Sequence, residues 1–436
     1  MILRTELRRS TAPVLGIGLV VFSLGLVYSL TGPWIHGTAP WNEQWTGLAQ
    51  WTRYLTLFLW PLVLGIGAWQ GLRDHRSRVT ELFAATPMAP WRRPLPTVGA
   101  VAVALTAGYL VLLVVGGVQV AANTSYFHLR WLPVAGVMVL ALTGIALLGF
   151  GIGRLLPSLV TPPVLAVAAL AAQIAVLQQG WPLLLTPAFD APDITAFTTV
   201  AVPVSLTQAL WFTGIGATGF LLAVAVRARA RFAALLPVAL AAAVTVPVLS
   251  AVDSPVVADA DAMALVCDDD GPRVCVRNVH ADHLPALTGP AREALALLGK
   301  LPAPPTSVTE FPAAGDFRSP SPEVVPVLFF AGPVTDPEWV RLTVLAGAGT
   351  PPCDNTTDWE VARDQEAARI VAASWFTGEL APVPGSRYVW DTAQDDIHAA
   401  WQGLRSLPAA EQTARVAAYR DAALDCRGGL STLVTP

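Results

Sequence analysis

Lysine is almost absent from this chain: of 436 residues only Lys300 is one, and Leu301 follows it. A nucleotide-hydrolysing loop needs glycines ending in Gly-Lys-Ser/Thr to hold phosphate and magnesium. These residues therefore contain no such loop, and the chain is not itself an ATPase. Charge is scarce as well. Asp, Glu, Lys and Arg make up 13% of the residues and apolar types 54%, with a mean hydropathy of +0.54. Soluble domains carry roughly 25% charged residues, so a simple soluble enzyme, a disordered tail and a nucleic-acid binder are all excluded. No His-Glu-x-x-His and no Gly-x-Ser-x-Gly occurs, which removes the usual zinc peptidase and serine hydrolase readings. Cysteine is missing from the first 250 residues: all four, Cys267, Cys275, Cys353 and Cys426, come later.

The net charge of −4 averages two unlike parts. Residues 1–250 hold 14 Arg and 6 acidic residues, whereas 251–436 hold 13 basic and 25 acidic ones. A bilayer core about 30 Å thick takes about 20 apolar residues per helix. Seven runs of that kind are read at about 13–31, 52–70, 97–120, 132–153, 163–179, 204–226 and 233–251. None has a charge well inside it, and Arg53 sits at an edge. The expected fold is a polytopic α-helical membrane domain, 1–251, followed by an α+β extracytoplasmic domain, 252–436. The first run has a basic start but no clean cleavage site, so it reads as an uncleaved anchor.

Arginine placement gives orientation. With a cytoplasmic N-terminus and seven crossings, 12 of the 14 arginines of the first part fall inside, and Arg53 and Arg130 fall outside. The acidic part then ends outside, where disulfides form. Four cysteines admit three pairings. The run Ala264–Cys267, the connector Asp268–Pro272 and the run Val274–Val276 read as strand, turn, strand, which favours Cys267–Cys275 with Cys353–Cys426. Further strands are expected at 324–330 and 340–345. Helices are expected at 288–299, 357–376, 391–405 and 409–425, with Thr357 and Glu360 forming a capping box.

In the later spans Gln173, Thr207, Gln208 and Thr213 are candidates to line a cavity, with helix–helix hydrogen bonding the competing role. Gly144, Gly149, Gly151, Gly153, Gly214 and Gly216 are expected to allow close helix packing. Trp34, Trp41, Trp45, Trp51, Trp131 and Trp181 read as an interfacial belt. His280 and His283 read as surface histidines, and Asp268–Asp270 as a solvated turn; no metal site is expected.

The connector 71–96 between the second and third runs starts as a helix, with Val79, Leu82 and Phe83 as an apolar stripe, and stops at Pro87. Its run RVTELFAATPM, Arg78 to Met88, resembles the cytoplasmic segment Gly-Thr-x-Glu-x-Leu-Leu-x-Thr-Pro of permease subunits of exporter-type ATP-binding-cassette (ABC) transporters. Glu81, Thr86 and Pro87 match it, Phe83 stands for a leucine, and Arg92 and Arg93 follow. Arg78, Val79 and Ala84 depart from it. The basic segment Met1–Ser10 is similar to the family's interfacial helix, and Trp181–Pro203 to its outer-leaflet helical hairpin. The resemblance covers roughly 1–230.

It implies a multi-pass cell-membrane protein that exports a cargo. Arg76, Arg78, Thr80, Glu81, Leu82, Thr86 and Pro87 would form the surface that couples to a separate ABC ATPase. A second permease subunit, identical or related, would complete the assembly in the lipid bilayer. No cofactor is expected in this chain; ATP and magnesium would belong to the ATPase. The alternative is a membrane-anchored sensor or assembly protein whose extracytoplasmic domain binds a ligand or partner.

Overall fold

The structure, a computed structural model, describes residues 6, 12–31, 41–76, 89–177, 179–188, 195–311, 321–328, 336–353 and 358–434. They fall into two units. The first runs to Asn123 and continues over Phe127–Asp259; the second takes Thr124–Tyr126 and everything from Ala260 on.

The first unit contains α1 (Ala12–Thr31), α2 (Trp45–Tyr54), α3 (Thr56–Gly71), α4 (Leu95–Asn123), α5 (Trp131–Leu155), α6 (Thr161–Val176), α7 (Val202–Val224), the short α8 (Ala228–Ala233) and α9 (Leu236–Ser250). Among the described residues five stretches are long and apolar enough to cross a bilayer: α1, α4, α5, α7 and the α8–α9 stretch. The second expected run, 52–70, forms only part of a broken pair: α2 and α3 meet at 58°. The fifth, 163–179, forms the 16-residue α6. At 1.5 Å per residue that is about 24 Å, shorter than a bilayer core. Gly180, with a positive φ of 68°, and Pro182 after it stop the helix from extending.

The helices α1, α3, α4, α5, α6, α7 and α9 are apolar all round, so packing and not amphipathicity decides their neighbours. α5 lies against α3 on one side and α7 on the other. A Cβ built on Gly149 would collide with the Leu64 carbonyl oxygen of α3, and one on Gly151 with the Gly219 carbonyl of α7. The helices therefore touch backbone to backbone, as small residues permit. Gly16 of α1 and Gly108 of α4 make the same kind of approach. Trp60 Nε1 also donates to the Ala141 carbonyl at 3.2 Å, tying α3 to α5.

Two expectations for this unit change. Trp41 and Trp51 are buried within the protein and do not face an interface, while Trp45 stacks on Trp131 at 5.6 Å; Trp34 lies outside the described residues. The described parts of 181–203 form no helical hairpin. Trp181–Leu185 is a single 3₁₀ turn, and strand β1 (Thr198–Val200) pairs antiparallel with β2 (Val256–Ala258). Pro182 and Pro187 deny the segment helical hydrogen bonds.

The second unit is α+β. Its sheet has the order β3 (Leu265–Asp268), β4 (Arg273–Arg277), β5 (Ser307–Glu310), β6 (Val324–Val327), antiparallel at the first pair and parallel thereafter. The parallel β4–β5 step requires a crossover, supplied by α10 (Leu284–Leu298). Val274, Val276, Val308, Val325 and Val327 from the sheet meet Leu287, Leu295 and Leu298 from α10 in one core.

Residues 340–345, expected as a strand, lie in helix α11 (Pro337–Leu345). Asp336 caps it by accepting from the Glu338 backbone N–H at 3.0 Å, with Pro337 at the first helical position. That start signal overrides the β-branched content. Helix α12 (Trp359–Thr377) is capped by Asp358, which accepts from the N–H of Glu360 at 2.9 Å; Thr357 lies outside the described residues. The helix expected at 391–405 is two, α13 (Arg387–Thr392) and α14 (Gln394–Ser406), and α15 (Ala409–Leu424) and α16 (Leu430–Val434) close the unit. Cys267 is bonded to Cys275 and Cys353 to Cys426, the favoured pairing. The first bond ties directly opposed residues of β3 and β4.

Candidate functional site

Of the residues expected to couple to an ATPase, Arg76 is described: it is exposed at the end of the helical turn Arg73–Arg76, its guanidinium 4.0 Å over the Trp69 ring. Arg78, Thr80, Glu81, Leu82, Thr86 and Pro87 lie outside the described residues. So does the segment Met1–Ser10 apart from Glu6, whose carboxylate pairs with Arg73 at 2.8 Å.

The four cavity candidates are not brought together. Thr207 and Thr213 spend their hydroxyls on carbonyls of their own helix, Pro203 and Ala209, both at 2.7 Å. Gln173 of α6 is buried, and its amide has no hydrogen-bond partner among the described residues. Gln208 of α7 is fully buried in a different network. An apolar groove of about 450 Å³ on α1 and α4, lined by Gly16, Ile17, Val20, Val103, Ala107 and Val111, contains none of the four.

The polar centre of the first unit is Arg53. The sequence placed it at the outer edge of a run; in the fold it is 0% exposed. It sits on α2, whose sequence WTGLAQWTRY spaces Gln50 and Arg53 three apart, on one helical face. The Arg53 Nε donates to the Pro187 carbonyl at 3.0 Å, and a terminal nitrogen donates to Gln208 Oε1 at 2.5 Å. Gln208 Nε2 in turn donates to the Leu184 carbonyl at 2.8 Å. Trp211 Nε1 reaches the Leu185 carbonyl at 2.9 Å. Gln44, just before α2, donates to the carbonyls of Thr195 and Thr198 at 3.2 and 3.0 Å.

Side-chain donors from α2, α7 and the residue before α2 thus hold the carbonyls of Leu184, Leu185, Thr186, Pro187, Thr195 and Thr198. The physical need is plain. Non-helical backbone in an apolar setting leaves carbonyls that must find donors inside the protein. Arginine offers five N–H donors in a rigid fork and stays charged, so it suits a clasp and not proton transfer. The signal was in the sequence: an amphipathic decapeptide with Gln50 and Arg53 ahead of an apolar run, and a proline-broken apolar segment elsewhere needing donors.

Next to the clasp, Arg130 lies 3.3 Å from the buried Asp259 carboxylate, with His128 at 3.8 Å on its other oxygen. Asp259 also donates its backbone N–H to the Phe197 carbonyl at 2.9 Å, extending the β1–β2 pairing by a residue.

In the second unit His280 is no surface histidine. It is 8% exposed, and its Nδ1 lies 2.5 Å from Oε1 of the fully buried Glu310. The other Glu310 oxygen accepts from the Arg277 backbone N–H at 2.7 Å. Burial holds Arg277 below the usual arginine range against the pull of Glu310. His283, its ring 6.1 Å from that of His280, is held below the ordinary histidine value by burial first and by His280 second, against Asp282 and Glu310. Among the described residues no group of three or more His, Cys, Asp or Glu could hold a metal ion. Asp268 pairs with Arg292 at 2.9 Å and Asp269 with Arg273 at 3.1 Å, as solvated turn residues do.

No family model matches this chain, and neither the curated proteins nor the solved structures contain a match to it.

Proposed function

We propose that this chain is the permease subunit of an ABC exporter, driven by a separate ATPase that docks on segment 71–96 and paired with a second permease subunit. The observation that carries the reading is that segment. Its Glu81-x4-Thr86-Pro87 step follows the helical turn Arg73–Arg76 and precedes Arg92 and Arg93, which lie just ahead of α4. Counting the bent α2–α3 pair and the short α6 as crossings gives seven, with segment 71–96 and nearly all arginines of the first unit cytoplasmic. The disulfide-bonded unit is then extracytoplasmic, consistent with where such bonds persist.

In this reading the Arg53 clasp fixes the described parts of the outer segment, 181–188 and 195–201, against α2 and α7, so that they move with those helices. The test is copurification of the detergent-solubilised chain with a P-loop ATPase, repeated with Glu81→Lys. Association lost in the variant supports the reading. Absence of any associated ATPase, with ATP hydrolysis independent of this chain, refutes it and favours a membrane-anchored sensor or assembly protein. That second reading draws on the separate core and two disulfides of the second unit.

A further inference from the structure

The connector between α7 and α9 carries a feature that the permease reading does not use. Its sequence, Val226-Arg227-Ala228-Arg229-Ala230-Arg231-Phe232, alternates arginine with small residues between two large apolar ones. All three arginines are exposed. The other described arginines of this unit are engaged. Arg53 and Arg130 are bonded as above, Arg73 pairs with Glu6, and Arg76, Arg92 and Arg154 lie over Trp69, Trp91 and Phe150. Arg227, Arg229 and Arg231 have no side-chain hydrogen bond, ion pair or ring contact among the described residues. No acidic residue occurs anywhere between Asp193 and Asp253. Among the described residues nothing neutralises these three cations, which lie within five residues of one another.

The apolar surroundings say what faces them. Val226 is 75% exposed and Phe232 76%. From Phe232 an i, i+4 row of exposed apolar residues continues through Leu236, Leu240, Val244 and Val248. The α8–α9 stretch is the least buried of the five long apolar stretches. The row is built from large side chains, whereas the helix–helix seams of this unit close on glycine: Gly149, Gly151, and Gly214 against Ala241 on another face of α9. Small residues suit a packed partner helix and large ones an acyl surface. An apolar row ending in a collar of cations and an exposed phenylalanine matches the section of a bilayer from acyl chains to headgroups.

We propose that Arg227, Arg229 and Arg231 bind the phosphodiester headgroups of anionic phospholipids, with Val226 and Phe232 seated in the acyl layer beneath them. The inference needs only that this unit spans a membrane; it does not depend on an ATPase partner. A basic residue at a membrane surface contributes about fivefold in binding of anionic lipid, so three together give a preference on the order of a hundredfold over a zwitterionic lipid.

The test uses the full chain in neutral detergent, titrated with phosphatidylglycerol or phosphatidylcholine, with bound lipid counted by native mass spectrometry at low and high salt. The expected result is a salt-sensitive preference for phosphatidylglycerol. It should be lost in R227Q/R229Q/R231Q and kept in R227K/R229K/R231K, which preserves the charges and controls for folding. Equal retention of both lipids by the wild-type chain overturns the proposal. So does a preference surviving in the glutamine variant, which would place the lipid elsewhere, or full competition by inorganic phosphate, which would mark a free-anion site. A lysine variant that folds yet loses the preference also overturns it.

Discussion

Replacing Arg53 tests whether the buried clasp is a coupled unit. The change Arg53→Met keeps a long side chain and removes donors to the Pro187 carbonyl and to Gln208 Oε1. Hydrogen bonds from charged donors contribute about 1.5–3 kcal/mol each in soluble proteins, but polar pairs inside membrane proteins average only about 0.6. The deciding effect is what is left behind. Removing one partner leaves each buried neutral acceptor unsatisfied, at about 1–3 kcal/mol per group, and two acceptors lose their donor here. Arg53→Met is therefore expected to destabilise by about 3 kcal/mol. Gln208→Leu should cost at least as much, since it strips the Leu184 carbonyl of its donor and leaves a buried cation. The double variant R53M/Q208L should cost less than the sum by about 1–2 kcal/mol, since each change removes the group that the other orphans. The assay is thermal unfolding of the full chain in detergent. At about 2–4 °C per kcal/mol for a unit of this size, each single change should lower Tm by about 6–12 °C. Single effects under about 0.5 kcal/mol, or losses that add within that margin, would refute the clasp.

Three further outcomes follow from the second unit. Removing Cys353–Cys426, which closes 73 residues, should cost about 4.4 kcal/mol by loop entropy, against about 2.5 for Cys267–Cys275, which closes 8. Comparing C353S/C426S with C267S/C275S by calorimetry checks this, and a larger loss from the short loop would contradict it. Asp358→Ala should destabilise by about 1 kcal/mol through loss of the α12 cap, read from the denaturant midpoint. His283 is a base with a lowered folded pKa, so between that value and the ordinary 6.5 the unfolded chain binds the extra proton. Its contribution is flat above about pH 7 and turns destabilising as pH falls through that window. His283→Gln should reduce the loss of stability between pH 7.5 and 5, and an unchanged loss in denaturation curves would count against the assignment.

Much of the fold is legible in the sequence because bilayer length and apolar composition are coarse, strong signals. The five long stretches and both cysteine pairs could be read without coordinates. The misreadings have local causes. VRLTVL is rich in β-branched residues, yet Asp336-Pro337 ahead of it sets a helix start. The run at 163–179 has the composition of a span, but Gly180 and Pro182 leave only α6. Arg53 read as an edge charge because hydropathy counts its cost without the acceptors that offset it. Those acceptors are the Pro187 backbone carbonyl and the Gln208 side-chain amide oxygen, 134 and 155 residues further along, and no pattern local to α2 names them. His280 reads as a surface residue for the same reason, since its partner Glu310 lies 30 residues away on another element.

The glycine contacts of α5 have a mechanical consequence. Sliding one helix over another needs a layer of side chains that can exchange rotamers, and at Gly149 and Gly151 there is none between the backbones. The α3, α5 and α7 trio is therefore a stiff plate, and α1 with α4, closed at Gly16 and Gly108, is a second. The α4–α5 seam between them is far thinner than either plate's interior. In the permease reading this seam is where the two plates would turn on one another, and the Tyr109–Thr52 hydroxyl contact at 3.3 Å bridges from α4 to α2 beside it. We expect a cross-link between α3 and α5 to leave any transport cycle running and one across α4 and α5 to stop it; transport halted by the first would show that the trio itself bends. In the permease reading proposed above, the strokes of the cycle would be rotations of two plates and not the gliding of single rods.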